Sequence, residues 1–413
     1  MEKWKAEKYA RALVEVGVNI LPGEKLLLQA DTNAADLSRE IVKAAFAKGA
    51  RDVEVMWSDP ETEHTRVMNA SPEVLREAPQ WKQDGLDSVF SDGKGVLISV
   101  HGTYPTLNLD VPDENRRANA LSGNDLRNVI RKYIHKAVLK WTGTVYPTVD
   151  WAKKVFPEYD EETAYTMLED ALCMMMRVDR DSDPVENWHR HLAELSERSR
   201  KLNEYNFKTL HITSELGTDL TMDLVEGHIW VSAGEMGAGN VSSPYVANMP
   251  SEEVFTDPDF HSVNGIVYAS FPINMSGKLV KGLWMRFENG KAVDCGADEG
   301  ADALREALFR DETTRQLGEI ALISKQSPIK KTGRIFYNGL IDENAACHIA
   351  FGTSFPDCVK GGTEMTREQL IELGVNHSVS HNDIMIGTDD FMITGITHDG
   401  REIPVMEHGD FVL

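Results

Sequence analysis

Apolar positions in the first hundred residues alternate between helical spacing and short continuous runs. Helical spacing occupies residues 3–16, and Gly17 follows where that helix would end. A short apolar run at residues 25–30 predicts a strand, a second helical pattern covers residues 35–48, and residues 52–57 predict another strand. Two strands joined by a helix through tight connections form a βαβ unit, which implies a parallel sheet.

The pattern extends this sheet, then gives way to helices, and changes again near the middle of the chain. Residues 95–100 predict a third parallel strand, and helical patterns dominate from about residue 115 to residue 203. Short β-rich runs replace them from Phe207 onward. We therefore predict an α/β N-terminal domain with a parallel sheet in residues 1–206. A mostly antiparallel α+β C-terminal domain is predicted in residues 207–413.

Turn signals separate the β-rich runs of the second half. Asn-Gly and Asp-Gly pairs between alternating apolar residues are typical of β-hairpins. The predicted hairpin turns are residues 216–219, 275–278, 288–291 and 398–401. One helix, at about residues 298–309, interrupts them. This spacing predicts that antiparallel pairing builds most of the second domain.

The composition limits the class of protein. The chain has 413 residues, more than one hydrophobic core usually supports, and 41% of them are hydrophobic while 26% are charged. The formal net charge of −23 argues against nucleic acid as a partner, because phosphate binding requires a basic face. Acidity alone usually serves solubility. The alternative is that part of the acidic excess consists of ligand carboxylates balanced by bound cations.

The sequence also favours a location inside the cell. The opening MEKWKAEKYA lacks the apolar core of a signal peptide, and no apolar run approaches the ~20 residues of a membrane helix. None of the four cysteines forms a CxxC pair, which fits reduced thiols. We therefore expect a cytoplasmic protein that contacts neither a membrane nor nucleic acid.

His381 and Asp383 are the first candidates for metal ligation. On a strand, their spacing of two places both side chains on one face, within reach of one ion. Glu319 lies among the apolar residues of LGEIAL, and a buried carboxylate needs a cation or an arginine to compensate it. His348 also has apolar neighbours, so it is either a ligand or a hydrogen-bonded core histidine.

Further carboxylates lie in the same half of the chain. Asp342 and Glu343 shortly precede the histidine of the segment DENAACHIA, and either of them could cap a turn instead. Glu252 and Glu253 lie together in the segment NMPSEEVFTDP. Carboxylates and imidazoles gathered on strands are what a divalent metal site requires. The sequence therefore indicates a metal-dependent enzyme if these side chains converge.

Four segments carry a resemblance to a known family. They are NMPSEEVFT at residues 248–256, Gly318-Glu319, DENAACHIA at residues 342–350 and HNDIMIG at residues 381–387. In these segments the chain resembles the aminopeptidase T and aminopeptidase S group of metallo-exopeptidases, also called thermophilic metalloproteases. The resemblance spans essentially the whole chain. It implies a catalytic C-terminal domain and a metallo-aminopeptidase that removes N-terminal residues from short peptides.

The resemblance also implies how the site is composed. It implies two divalent ions per chain, zinc, cobalt or manganese, which activate a water molecule for hydrolysis. The implied ligands are Glu253, Glu319, Glu343, His348, His381 and Asp383. Glu319 would bridge the two ions and so take part in catalysis. Two dications balance four carboxylates, which is consistent with this set. A homodimer with an enclosed active-site space is implied as well.

Two positions beside these ligands are open to more than one reading. Glu252 is a possible general base. Adjacent residues on a strand face opposite ways, however, so Glu252 would point away from the site if Glu253 is a ligand. This favours a solvated or ion-paired side chain for Glu252. The family has a tyrosine, whose hydroxyl is thought to assist catalysis, where this chain has Phe355. Losing an oxyanion donor typically costs ~10²–10³ in rate, so another donor substitutes or the activity is weaker or redirected. Tyr337 offers a hydroxyl, with a core tyrosine as the alternative.

Two other functions stay open on the sequence alone. His348, His381 and Asp383 also form the ligand set of mononuclear non-haem iron enzymes, and a ring-cleaving dihydroxypyridine dioxygenase is similar to this family. The three glutamates of the implied ligand set argue against that alternative. A non-catalytic binding protein is supported only by Phe355. Two zinc, cobalt or manganese ions per chain would indicate hydrolysis, and one ferrous ion would indicate oxygenation.

Overall fold

Two compact units make up the chain. The computed structural model describes residues 1–134, 136, 138–234, 241–275 and 278–413. One unit comprises residues 1–191 and 234–250, and the other comprises residues 192–233 and 251–413. The domain boundary expected after residue 206 stays a prediction. Across the described ranges, none of the helices combines the length and the apolar character that crossing a bilayer requires.

A four-stranded parallel sheet organises the first unit. Its strands are β1 Lys25–Asp31, β2 Asp52–Ser58, β3 Gly95–Gly102 and β4 Lys140–Tyr146. They lie in the order β2-β1-β3-β4, and all three pairings are parallel. The accompanying helices are α1 Lys3–Ala12, α2 Ala35–Ala47, α3 Pro60–Asn69, α4 Pro72–Arg76, α5 Gln80–Phe90, α6 Asp113–Ile134, α7 Val149–Val155 and α8 Glu161–Met175. The next helix, α9 Pro184–Tyr205, begins in the first unit and ends in the second. A π-helical segment, Leu13–Gly17, continues α1 to the predicted stop.

The sequence pattern predicted most of this unit. The elements β1, α2 and β2 end within one residue of their predicted limits. Gly49, shortly after α2, has a φ of 91°, a conformation that glycine adopts at low cost. Helices α6 to α9 confirm the prediction that helices dominate residues 115–203. The prediction did not include β4, which lies in the same range. The seven residues of β4, KWTGTVY, form a run too short to stand out between long helices, although their β-branched and aromatic side chains favour a strand.

Antiparallel strands dominate the second unit, as predicted. The strands are β5 Thr209–Thr213, β6 Asp219–Asp223, β7 Val231–Ser232, β8 Val254–Thr256, β9 Asn264–Tyr268, β10 Ile273–Met275, β11 Lys278–Val280, β12 Trp284–Glu288, β13 Lys291–Gly296, β14 Leu317–Leu322, β15 His348–Gly352, β16 His381–Met385, β17 Met392–Ile396, β18 Glu402–Glu407 and β19 Asp410–Phe411. They form an eight-stranded sheet (β13-β12-β9-β6-β5-β17-β18-β19), a five-stranded sheet (β16-β15-β14-β8-β7) and the pair β10-β11. The helices are α10 Ala301–Leu308, α11 Pro328–Lys331, α12 Gly339–Asp342 and α13 Arg367–Glu372.

The predicted hairpin turns lie between paired strands. Residues 216–219 join β5 to β6, residues 288–291 join β12 to β13, and residues 398–401 join β17 to β18. The glycines of these turns have φ angles of 110°, 79° and 82°, which explains why glycine is needed there. For the fourth turn, residues 275–278, the flanking strands β10 and β11 do pair. Its Ser276 and Gly277 lie outside the described residues.

The centre of the five-stranded sheet is buried on both faces. All residues of β14 and all residues of β15 are buried. A strand buried on both faces reads as a nearly continuous apolar run, which explains the sequences LGEIAL and HIAFG. Glu319 and His348 are the ionisable side chains in these two strands, and their exposed fractions are 4% and 1%. Burial of such groups requires compensation, so this sheet is where a functional site is expected.

Candidate metal centre

Three neighbouring strands bring the predicted ligands onto one face of the five-stranded sheet. Ala350 on β15 lies opposite both Glu319 on β14 and Asp383 on β16. His348 precedes Ala350 by two residues, and His381 precedes Asp383 by two residues. Side chains two residues apart on a strand point to the same face. The pairing therefore places two carboxylates and two imidazoles on a single face.

Small residues leave space on that face. Ala350, at the centre of the row, and Ala321, opposite the histidine of β15, are both fully buried. Gly318 and Gly352 let the backbones approach closely at the edge of the row. A Cβ at position 352 would lie 2.0 Å from a backbone oxygen, and one at position 318 would lie 2.4 Å from two. The space above the two alanines is therefore available to the longer polar side chains and to what they bind.

One group of candidate donors consists of Glu253, Glu319 and His348. Their donor atoms lie within 4.8 Å of one another. His348 Nε2 lies 3.5 Å from Glu253 Oε2, and the other ring nitrogen of His348, Nδ1, lies 3.4 Å from the Ala346 carbonyl oxygen. Glu253 directly precedes β8, which pairs with β14, so the sheet itself brings this glutamate beside the others.

A second group consists of Glu319, His381 and Asp383, again within 4.8 Å. His381 Nε2 lies 2.9 Å from Glu319 Oε2 and 3.1 Å from Asp383 Oδ1. On the other side of the ring, Nδ1 lies 2.8 Å from the Thr353 carbonyl oxygen. A carbonyl oxygen only accepts, so Nδ1 donates, and in a neutral ring Nε2 offers a lone pair. Glu319 belongs to both groups.

The electrostatics show that the cluster has an excess of negative charge. Burial raises the pKa of Glu253 to about 7. Burial, followed by the charges of Asp383 and Glu253, raises the pKa of Glu343 well above its ordinary value. Burial alone would lower the pKa of His381, but hydrogen bonds to Asp383 and Glu319 raise it well above that of a free histidine. The charges that shift the pKa values of Glu253, Glu343 and His381 are those of other members of the cluster. The cluster contains more carboxylates than imidazoles, so it attracts cations.

The donor set fits divalent metal ions. Imidazole nitrogens and carboxylate oxygens are ligands that zinc, cobalt and manganese accept. Both histidines are oriented by backbone carbonyls and turn Nε2 toward carboxylates, the arrangement found around metal ligands. Glu343 lies in the 3-10 turn Glu343–Ala345, which leads into β15, and belongs to neither donor group. Five of the six ligands that the resemblance implies therefore fall into the two donor groups.

Phe355 lies against the cluster. Its ring centre is 5.1 Å from that of His381 at an interplanar angle of 64°, and 5.6 Å from that of Phe255. The Phe355 backbone N–H donates to Asp257 Oδ1 over 3.1 Å. Asp257 is fully buried, and within the described chain its Oδ2 has no hydrogen-bond partner. Burial raises the pKa of Asp257 well above its usual range.

Sequence reasoning did not select Asp257. The signal was available, because Asp257 follows the three apolar or small residues of β8 in the same segment that supplied Glu252 and Glu253. The sequence favoured a solvated or ion-paired side chain for Glu252; at 7% exposed it is not solvated, and the ion pair stays a prediction. Its backbone N–H donates to Asn344 Oδ1 over 2.7 Å, and it belongs to neither donor group. A role for Glu252 as general base stays a prediction.

The structure shows where Asp342 and Tyr337 lie, two residues for which the sequence allowed more than one role. The Asp342 carboxylate accepts the backbone N–H of Phe336 over 2.7 Å and that of Asn338 over 3.1 Å, so it stabilises a turn. Tyr337, at the tip of this turn, has a φ of 55°. It is half-buried and lines a cavity of about 240 Å³ together with Glu343, and is therefore not a core tyrosine.

Comparison with known proteins agrees with this geometry. The profile of a family described as thermophilic metalloprotease (M29) matches residues 2–411. Aminopeptidase AmpS of Bacillus subtilis is 37% identical over 407 residues, which cover 98% of each chain. The structure of wild-type AmpT from Thermus thermophilus superposes with a TM-score of 0.92 at 34% identity and full coverage of both chains. The family resemblance, the fold class and the metallopeptidase class inferred from the sequence are confirmed.

A more distant likeness concerns the fold alone. The structure of a 2,5-dihydroxypyridine dioxygenase from Pseudomonas putida superposes with a TM-score of 0.52 at 13% identity, covering 100% of this chain and 97% of that one. At this identity the likeness carries no information about chemistry. The close relatives with known names are aminopeptidases, which does not favour the oxygenase alternative.

Proposed function

The chain belongs to the thermophilic metalloprotease family (M29), and from this premise we propose that it is an aminopeptidase that removes N-terminal residues from short peptides at a dinuclear metal centre. One observation carries the proposal. Glu319, on a fully buried strand, belongs to two groups of donors at once, with Glu253 and His348 on one side and His381 and Asp383 on the other. A shared carboxylate is what a pair of adjacent ions requires.

Each group would hold one ion. Glu253 and His348 would bind the first, His381 and Asp383 would bind the second, and Glu319 would bridge them. Glu343 completes the proposed set, supported by its position in the lining of the same cavity as His381 and Asp383. Two dications bring four positive charges and the four carboxylates bring four negative charges. The proposal thus relieves the charge excess that the buried cluster otherwise carries.

The ions, when bound, lower the pKa of a water molecule and polarise the scissile carbonyl. The protein supplies the orientation. The carbonyls of Ala346 and Thr353 orient the two imidazole rings, so that in the neutral rings both Nε2 lone pairs would be directed at the cluster. The carboxylates attract the ammonium group of a peptide's free N-terminus, and this attraction favours exopeptidase over endopeptidase action. The buried sheet beneath excludes water from the other side.

The oxygenase alternative uses a subset of the same residues. A mononuclear iron site needs only His348, His381 and Asp383, with open positions for substrate and oxygen. Here His348 contacts Glu253, and His381 contacts Glu319 as well as Asp383. The additional carboxylates provide for a second ion and would serve no purpose in a mononuclear site. This contact pattern supports hydrolysis over oxygenation.

The proposal also includes the state of the protein in the cell. We propose a cytoplasmic homodimer that uses zinc, cobalt or manganese, because the family resemblance implies an enclosed, paired active site. Light scattering on the purified protein tests the dimer, and a mass corresponding to one chain would reject it. Peptide cleavage in the presence of each metal in turn tests the metal preference.

The activity is tested by measuring amino acid release from a panel of short peptides after reconstitution with cobalt, manganese or zinc. We expect release of the N-terminal residue only, with N-acetylated versions of the same peptides left intact. Acetylation removes the positive charge that the carboxylates attract. A metal-loaded protein that cleaves none of these peptides would support the non-catalytic alternative, and cleavage of the blocked peptides would reject the exopeptidase assignment.

A further inference from the structure

The parallel sheet of the first unit has two edge strands, and they differ in how they are covered. At β4, the Gly143 N–H donates to the Ala247 carbonyl oxygen over 2.8 Å, and the Met249 N–H donates to the Gly143 carbonyl oxygen over 2.9 Å. Five of the seven residues of β4 are buried. At the other edge, β2 pairs only with β1 within the described part of the chain, and five of its seven residues are exposed. One edge of the sheet is therefore open.

The open edge lacks most of the features that keep edge strands from joining other chains. Proteins protect such edges with lysine, proline, bulges or very short strands. The sequence of β2, DVEVMWS, contains neither lysine nor proline, and its seven residues pair with β1 in a single register. The side chains of Met56 and Trp57 are 37% and 45% exposed. An edge of this kind is a template for a further strand.

One face of β2 carries an apolar row that continues the core of the sheet. Val53, Val55 and Trp57 lie two residues apart and therefore share a face. Their partners on β1 are at most 1% exposed, and these partners are Leu26, Leu28 and Ala30. On β2 the row loses its cover, because the two valines are half-buried and the tryptophan is exposed. A strand added beside β2 would extend the buried row.

We propose that β2 pairs antiparallel with β2 of a second copy of this chain, about a two-fold axis beside Val55. The two four-stranded sheets then join into one continuous sheet. Each copy contributes the same surface, as is usual in homodimers. This pairing is the interface of the homodimer proposed above, on which it rests, and it does not depend on the peptide chemistry.

The residues of β2 complement one another in this register. With Val55 opposite itself, Val53 lies opposite Trp57 of the second copy. Pairs of a β-branched and an aromatic side chain are favourable across antiparallel strands. Just beyond the strand ends, Arg51 lies opposite Asp59 of the second copy, and both residues are exposed. The pairing therefore joins an apolar centre to opposite charges at both ends.

The acidic residues of β2 disfavour the neighbouring registers. Centring the pair on Val53 would place Asp52 opposite Glu54, and centring it on Glu54 would place two copies of that glutamate together. Like charges directly opposite each other are destabilising. Centring on Met56 would place Val53 opposite Asp59 and break the apolar row. β2 is thus complementary to itself in one register, which favours a second copy over an unrelated strand.

A single cysteine on the two-fold axis tests the pairing directly. Directly opposite residues of antiparallel strands have Cα atoms about 4.5–5.5 Å apart, within the range that a disulfide bridges. The four native cysteines are all buried, so the wild type is the background. We expect Val55→Cys to form a covalent dimer with oxidised glutathione, visible on a denaturing gel without reductant. The wild type should stay unlinked.

Two further variants test the register. Glu54→Cys and Met56→Cys each place identical residues on the diagonal, about 7–8 Å apart, which is too far for a disulfide. Neither variant alone should cross-link, whereas an equal mixture of the two should, because these positions lie opposite each other. Equal cross-linking of all three single-cysteine variants would indicate random collision and would overturn the pairing.

Charge reversal on the axis separates loss of the interface from loss of folding. Val55→Lys and Val55→Glu each place two like charges opposite each other, and each should raise the dissociation constant of the dimer at least about 10-fold. An equal mixture should recover the dimer in light scattering, because the charges are then opposite. Recovery would not occur if the variants were misfolded, and its failure while both variants keep the wild-type circular dichroism overturns the pairing.

The same samples distinguish failure of this interface from failure of the proposed function. A dimer in light scattering without a Val55→Cys cross-link overturns the pairing through β2 and leaves the homodimer standing. A monomer without the cross-link rejects both. Peptide cleavage by such a monomer would leave the aminopeptidase standing, since the pairing makes no use of the metal centre.

Discussion

Glu319 is the residue on which the proposed chemistry depends most. It lies on β14 and approaches His381 to 2.9 Å, and it is the one side chain common to both donor groups. We predict that Glu319→Gln lowers kcat/KM for peptides by at least about 100-fold while the protein still folds, because glutamine keeps the shape but removes the bridging charge. Peptide assays with circular dichroism test this. Glu402→Gln, at an exposed position on β18, is the control and should keep full activity. Full activity of Glu319→Gln would refute the ligand assignment.

Phe355 is the residue whose consequence the sequence could not determine. Its ring centre lies 5.1 Å from that of His381, so this side chain is in contact with a proposed ligand. We predict that Phe355→Tyr raises kcat/KM for peptides, because a donor near a developing oxyanion is worth ~10²–10³ in rate when it is aligned. Phe309→Tyr, on a half-exposed ring in the same unit, should change nothing. A clear drop in Phe355→Tyr would mean that this position has been retuned for another reaction.

The proton balance of Glu253 leads to a prediction about pH. Burial raises the pKa of Glu253 to about 7, so the metal-free site retains protons that a bound ion must displace. Because the neutral carboxyl predominates below pH 7, the apparent affinity for zinc or manganese should rise as the pH increases through 7. Calorimetric titration at pH 6 and pH 8 in two buffers measures both affinity and proton release. An affinity that is the same at both values would contradict the burial of this carboxyl.

At the scale of elements, the register of β14, β15 and β16 builds the site. Ala350, between Glu319 and Asp383 in that row, has space above it that the ligands use. We predict that Ala350→Leu abolishes high-affinity metal binding, with an overpacking cost of about 1–3 kcal/mol in unfolding free energy. Ile349→Val, on the opposite face of β15, should cost about 0.5–1.5 kcal/mol and leave metal binding intact. Equal metal content in both variants would show that the face is wrongly assigned.

The same elements show how far the sequence could lead. The period of two in β16 placed His381 and Asp383 on one face, and turn chemistry located three hairpins, because both signals are local. The pairing that aligns Glu319 with Ala350 is not local, since it joins segments about thirty residues apart whose alignment depends on packing. The strained turn at Tyr337 has no local sequence signature, and the only local signal for the burial of Asp257 is its position directly after β8. Those features required the structure.

At the scale of the whole molecule, the acidic composition and the buried cluster are connected. Of the formal net charge of −23, the proposed ligands contribute four negative charges that two dications would neutralise. A ligand that binds only the folded state stabilises it, by about 2.7 kcal/mol at a concentration of 100 Kd. We predict that removal of metal by a chelator lowers the thermal midpoint by several degrees. Calorimetry before and after re-addition of metal measures this, and an unchanged midpoint would mean that the folded chain does not depend on ions.

The most direct test of the dinuclear centre is the number of divalent ions bound per chain, determined by elemental analysis of the purified protein while cleavage of short peptides is followed in the same samples. The shared position of Glu319 predicts that activity rises with metal content and reaches its plateau at two zinc, cobalt or manganese ions per chain. A plateau at one ion, one ferrous ion with no peptide cleavage, or no bound metal in active protein would contradict the dinuclear centre.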